Sequence, residues 1–301
     1  MTSDVRPVLV PEPLTSGDAE PVIVTDFLRF SGAPRLSHVL AGQAHGHPVF
    51  AVDPVADLAR WETFVPLDEL AAGYADAFSA AAPAAEGAVV IGYCAAGALA
   101  LRIAARLTRS GRVLTILARP TWPDTAMIRA SMASFRADLG TADGSPDDLA
   151  NDLTNDLDDD LANDLTNDLD GDPAMILRRL ERVLQADMRA MARTRGLDKS
   201  ASAVEALDDL LGRYRVWLGF LLASRAALKP LWHPGVPVDV LTETSGPARV
   251  PWLEPGSYAV TRLSLPEDES LATTLLARSA LTVMRDWQRP GDQPPSLPGG
   301  C

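Results

Sequence analysis

The chain has 301 residues, 47% hydrophobic and 22% charged, which excludes fibrous and wholly disordered polypeptides and leaves room for one large core or two modest domains. Its formal charge of −13 is local, because twelve aspartates fall between Asp143 and Asp172, where no Lys or Arg occurs. Elsewhere acids and bases nearly balance, so the body of the protein offers no electrostatic reason to expect nucleic acid or an anionic membrane as partner.

The only cysteines are Cys94 and Cys301, so a disulfide framework is not expected and a reduced, cytoplasmic setting fits. The N-terminal MTSDVRPVLVPEP has neither a basic start nor an apolar h-region. No apolar run approaches the roughly 18 to 20 residues needed to span a bilayer. A soluble, unexported protein is expected.

In chain order, residues 1–20 read as a flexible leader rich in Pro, Glu and Ser. Buried strands are predicted at 22–25 and 48–52, with a short helix over 35–41 between them. Residues 67–82 carry Leu67, Leu70, Ala71, Tyr74 and Phe78 at helical spacing, with Asp68 and Glu69 in the first turn as a helix N-terminus prefers. A strand at 87–92, an Ala/Leu-rich helix to about 109 and a strand at 113–118 follow. Strands apolar on both faces, alternating with helices, require a parallel sheet covered by helices, so the fold class is α/β. The pattern then turns purely helical, over 125–139, 173–195 and 203–228, before strands at 236–241 and 258–263 and a closing helix over 271–288. The expected organisation is an α/β core over 21–123 and 230–289, a helical lid over 124–229 containing the acidic stretch 143–172, and a disordered tail over 290–301.

Within the acidic stretch, DDLANDLTNDLD at Asp147–Asp158 recurs identically at Asp159–Asp170. A four-residue Asp-Leu unit drifts about 40° per repeat around a helix and its charge disfavours packing, so an extended or partly helical acidic loop is expected. Asp156-x-Asp158-x-Asp160 lacks the sixth-position glycine and the terminal Glu of an EF-hand loop, and no metal site is assigned.

Chemistry concentrates in Val89-Val90-Ile91-Gly92-Tyr93-Cys94-Ala95-Ala96-Gly97, where a nucleophile-type residue stands between an apolar strand and a helix among small neighbours. That is the context of a nucleophile elbow. The sharp turn needs small neighbours, lifts the side chain above the sheet, and aims the next backbone N–H, that of Ala95, at a developing oxyanion. The pattern is G-x-C-x-A-G, with Ala96 where a second glycine is usual. A buried structural cysteine at a helix start is the alternative.

At this point the chain resembles an α/β hydrolase of the thioesterase group that serves polyketide and nonribosomal-peptide assembly lines. The resemblance runs over most of 21–289, through the early strand and its following loop (Val22 to Gly32), the Gly-Tyr-Cys-Ala-Ala-Gly elbow, the helical insert, and Pro251-Trp252 before the last strand. Cysteine in place of serine is also similar to the stand-alone Dieckmann cyclases. The resemblance implies no bound cofactor, a small acyl substrate carried on a phosphopantetheine arm, and an acyl or peptidyl carrier protein as partner.

It also implies a triad acid and a histidine, and here the sequence departs. The acid is expected near Ala118 or Arg119, neither of which is acidic; Asp124 and Glu243 are the candidates. The histidine is expected after the last strand, where the chain reads Pro266-Glu267-Asp268-Glu269-Ser270, so a carboxylate such as Glu269 is the candidate base there. His38, His45, His47 and His233 are expected away from the carboxyl ends of the strands, where sites of such sheets form. A thiol attacks without a base far better than a hydroxyl does, while activating water normally needs one. The expected activity is therefore acyl transfer or cyclisation through Cys94. The alternative is a degenerate hydrolase that binds an acyl chain or carrier protein as an accessory. The oxyanion hole would combine Ala95 with a backbone N–H of Asp26, Phe27 or Leu28, and Tyr93, Met188 and Trp217 are the substrate-binding candidates.

Overall fold

The computed structural model describes residues 9–27, 34–61, 63–83, 85–109, 111–139, 171–227, 236–246, 250 and 253–288. The predicted acidic loop (143–170), the 290–301 tail, His233, Pro251 and Trp252 lie outside them. Two compact units emerge: the described residues of Leu9–Asp53, Ala71–Thr121 and Pro230–Cys301 form one, and those of Pro54–Leu70 and Trp122–Lys229 the other.

The first unit is built on a seven-stranded sheet of β1 (Glu12–Pro13), β2 (Val22–Thr25), β3 (Val49–Val52), β4 (Gly87–Tyr93), β5 (Arg112–Ala118), β6 (Val238–Glu243) and β7 (Ala259–Leu263). Their order is β1-β3-β2-β4-β5-β6-β7; β1 runs antiparallel to β3, and all other pairs are parallel. β2, β3 and β4 are buried along their whole length, as their unbroken apolar runs require of a sheet covered on both faces. Part of the expected leader thus belongs to the sheet. Glu12 and Pro13 pair with β3, and the N–H groups of Leu14 and Thr15 donate to the Val49 carbonyl. A two-residue strand with a proline has no periodicity to read, and Pro is tolerated there because the strand is an edge.

Helices α1 (Leu36–Ala41), α3 (Leu67–Ala81, in this unit from Ala71 on), α4 (Gly97–Leu107) and α8 (Glu269–Gln288) complete the unit. Strand alternation shows that two faces of the sheet are covered. A Cβ on Gly92 would lie 2.7 Å from both Ala100 Cβ and Gly97 Cα of α4, whereas one on Gly87, an odd number of residues away, would approach Trp287 of α8 at 3.5 Å. α1 packs against α8, and Phe78 of α3 meets Phe50 of β3 edge to face, with centroids 5.5 Å apart.

The second unit is helical, with α2 (Pro54–Leu58), α5 (Thr125–Asp138), α6 (Pro173–Thr194) and α7 (Ala201–Ala226). It includes Pro54–Leu70, which the sequence reading placed with the sheet. Each long helix starts where a short polar side chain satisfies a free backbone N–H: Asp124 accepts from Met127, Asp172 from Ala174 and Ser200 from Ala203. The Tyr214 hydroxyl donates to Asp138 at 2.9 Å, and burial together with that carboxylate pushes the phenol well above its ordinary value. Arg136 pairs with Asp187 at 2.9 Å. No helix among the described residues is long and apolar enough to cross a membrane.

Candidate active site

β4 ends at Tyr93, Cys94–Ala96 form one 3-10 turn, and α4 begins at Gly97. Cys94 has φ +54°, the left-handed region that L side chains enter only at a cost. The turn holds because Gly92 lets α4 fold back onto β4 so closely that a Cβ there would lie 2.7 Å from the Gly97 Cα. Thr25, fully buried at the end of β2, points its hydroxyl at the carbonyls of Ile91 (3.2 Å) and Ala96 (3.3 Å) and so staples the elbow to the neighbouring strand. Sequence reasoning passed over this residue, because a threonine ending a strand carries no signal of its own.

The Cys94 thiol is buried, with 4% of the residue exposed, and is not in a disulfide. Its Sγ lies 2.9 Å from Thr121 Oγ1, an interaction in which either group can donate. Thr121 follows β5 by two residues, Arg119 and Pro120. Ala95, whose N–H follows the thiol, is fully buried, and Tyr93 is buried at the end of β4.

Register explains what stands beside the thiol. Tyr93 and Ala118 are Cα partners, so Cys94 and Arg119 cap adjacent parallel strands about 5 Å apart in backbone. Arg119 is the other non-glycine residue with positive φ among the described residues, at +49°, and its N–H donates to the Leu241 carbonyl at 2.7 Å. It occupies the place where the resemblance puts the triad acid. Its Nε pairs with Glu243 at 2.7 Å and its Nη1 with Glu269 at 3.1 Å. Burial alone would lower the guanidinium's pKa; Glu269, Glu243 and Tyr93 outweigh it and hold the group above its ordinary value.

The predicted site residues are therefore distributed as follows. Glu243 and Glu269 come together, but around Arg119. Asp124 serves as the N-cap of α5 in the helical unit. Asp268 accepts from the Leu271 N–H, which starts α8 at Glu269, earlier than the apolar pattern indicated. His38 and His45 are exposed, and His47 shares a hydrogen at Nδ1 with the Glu20 carbonyl near the amino end of β3. Met188 is buried in α6, and Trp217 of α7 donates its indole N–H to Ser131 at 3.0 Å.

Of the oxyanion candidates, Asp26 donates its N–H to Val52, which removes it from the set; Phe27 is buried and Leu28 lies outside the described residues. The Asp26 side chain instead ends β2 in a buried network. Oδ1 accepts from Arg35 Nε (3.0 Å) and Nη2 (2.7 Å), and Oδ2 accepts from the Ser37 N–H (2.7 Å). Arg35 also reaches Asp53 at 3.5 Å. Burial pushes the Asp26 carboxyl above its ordinary value, and the Arg35 guanidinium and Ser37 N–H oppose that shift without cancelling it.

No protein-family model and no curated protein matches the chain. Among solved structures, a four-domain nonribosomal peptide synthetase, holo-AB3403 bound to AMP and glycine, is 14% identical with a TM-score of 0.50 over 96% of this chain. The match spans about a fifth of that synthetase, 21% of its length. The fold is α/β-hydrolase-like. Other similar structures are the Vlm2 thioesterase domain bound with a tetradepsipeptide (17% identity, 93% of this chain and 98% of that one, TM-score 0.47) and the NocB thioesterase domain in covalent complex with a fluorophosphonate nocardicin G analog (17%, 89% and 96%, TM-score 0.44).

Proposed function

We propose that the chain accepts an acyl group from a carrier-protein-bound thioester onto Cys94 and transfers or cyclises it, in polyketide or nonribosomal-peptide biosynthesis. The observation that carries this reading is the backbone of Cys94: a thiol held at φ +54° between a buried strand and a helix, at the carboxyl edge of a parallel sheet. Strain of that kind persists where the surroundings enforce it, and nucleophile elbows are such places.

Sγ attacks the thioester carbonyl, the bond to the phosphopantetheine sulfur breaks, and that thiolate leaves with the proton from Cys94. The Ala95 N–H, at the start of the helix, is the donor assigned to the oxyanion. Donor and product are both thioesters, so the exchange is close to balanced and needs no strong base. An acyl chain borne on a phosphopantetheine arm calls for a carrier protein as the partner, and Tyr93, next to Cys94 in the chain and buried, is the substrate-binding candidate nearest the thiol.

The test is turnover of an acyl group carried on a phosphopantetheinylated carrier protein, followed by the free carrier thiol released. Wild type releases it and Cys94→Ala does not; equal release by both would remove Cys94 from the reaction.

A further inference from the structure

We infer that Thr25 is a positioning residue for acylation of Cys94: its hydroxyl clips together the two ends of the segment that carries the nucleophile, and so fixes where the thiol and the Ala95 N–H point. This rests on the covalent reading above and adds to it a residue that acts on the reaction through the backbone.

Thr25 closes β2 in a fully buried position and is the Cα partner of Gly92 on β4. Its hydroxyl has one proton to donate, and two carbonyls face it, Ile91 at 3.2 Å and Ala96 at 3.3 Å. Those carbonyls stand on either side of Gly92-Tyr93-Cys94-Ala95, so one side chain of the neighbouring strand spans the whole turn. Gly92 makes this possible, because a Cβ there would lie 3.3 Å from the Ala96 oxygen and crowd the atom that the hydroxyl reaches.

The rest of β2 separates this role from packing. Val22, Ile23 and Val24 fill the strand with hydrocarbon, and a valine at position 25 would fill the same volume with no polar atom to bury. A fully buried hydroxyl is favourable only through its hydrogen bonds, and here both reach across to the elbow segment. What they restrain is costly backbone. Cys94 at φ +54° relaxes toward the ordinary region unless its surroundings hold it. Even a small relaxation turns Sγ away from the acyl carbon and the Ala95 N–H away from the developing oxyanion.

Thr25 therefore acts on the rate of acyl transfer to Sγ and not on binding of the donor. In that step Sγ bonds to the acyl carbon, the donor's carbon–sulfur bond breaks, and the thiol proton leaves with the donor sulfur. Thr25 exchanges no atom in it.

The experiment uses the full chain and the propionyl thioester of N-acetylcysteamine. Intact-protein mass spectrometry follows propionyl-Cys94 in single turnover over a range of donor concentrations, with Cys94→Ala as the blank and each rate referred to the folded fraction seen by circular dichroism. Thr25→Val lowers the maximum acylation rate about tenfold to a hundredfold, the loss that a displacement of about 1 Å brings, while the half-saturating donor concentration moves less than about twofold. Thr25→Ser, which keeps the hydroxyl and loses only the methyl, stays within about threefold of wild type. A packing role predicts the opposite order, with Val faster than Ser.

Folded Thr25→Val acylating at the wild-type rate overturns the inference, as does Thr25→Ser as slow as Thr25→Val. If Thr25→Val fails to fold, Thr25→Ser against Thr25→Ala decides, since both lack the methyl and only one has the hydroxyl. An advantage of about tenfold or more to Ser supports the inference and equal rates overturn it. In each of these cases wild type forms the adduct and the covalent reading stands. No propionyl-Cys94 in wild type removes that reading itself, and this inference with it.

Discussion

Arg35→Ala lowers the stability of the protein by about 3–5 kcal/mol, the loss expected when one partner of a buried ion pair is removed. The pair qualifies because the side chains are only 9% (Arg35) and 1% (Asp26) exposed, so solvent can neither screen their attraction nor rehydrate the carboxylate left behind. The Ser37 N–H would remain on Oδ2, insufficient for a charge inside the core. Deprived of the guanidinium, the Asp26 carboxyl rises further and takes up a proton more readily. The deficit is therefore largest at pH values where Asp26 is ionised in both folded proteins; it shrinks as pH falls through the variant's higher pKa and levels off below the wild-type one, where the carboxyl is neutral in both. Urea unfolding of wild type and Arg35→Ala across that range measures it. A pH-independent loss below about 1 kcal/mol would mean that the pair behaves as an exposed one. Adding Asp26→Ala to Arg35→Ala should recover part of the loss, since the stranded carboxyl goes with it.

Cys94→Ser cuts carrier turnover by about a hundredfold or more, although it keeps a nucleophile of similar shape at the same strained position. A hydroxyl at φ +54° beside Thr121 Oγ1 has an alcohol as neighbour where a serine enzyme needs an imidazole. The thiol escapes this requirement because sulfur is intrinsically the stronger nucleophile. Comparing single-turnover acylation of the two proteins isolates the step. Retention of activity within tenfold would show that a base serves the site after all.

Much of the fold was legible because its signals are local. The unbroken apolar runs at 22–25, 87–92 and 113–118 are buried strands, and the amphipathic stretch 173–195 is α6, ending at Thr194. The elbow was equally plain, since strand, small residues and helix follow one another directly. What stayed hidden depends on register and on loops meeting across strands. Thr121 lies 27 residues from Cys94, and only the pairing of Tyr93 with Ala118 brings the end of β5 to the thiol. Arg119 was noted as a residue that is not an acid; that it gathers Glu243 and Glu269 from two later elements has no trace in any window of sequence. The Asp26–Arg35 pair stayed hidden for a different reason: Asp26 reads as the start of a loop and Arg35 as the start of a short helix, and a buried salt bridge between them has no hydrophobic pattern to announce it.

The central claim is that Cys94 carries the acyl group. Intact-protein mass spectrometry after brief incubation with short acyl thioesters tests it directly, using wild type, Cys94→Ala and a Cys301→Ser control. One acyl adduct in wild type and Cys301→Ser, absent in Cys94→Ala, is the predicted result. An adduct that survives loss of Cys94, or none in any protein while an acyl chain or carrier still binds, would contradict it and leave a fold that binds without covalent chemistry.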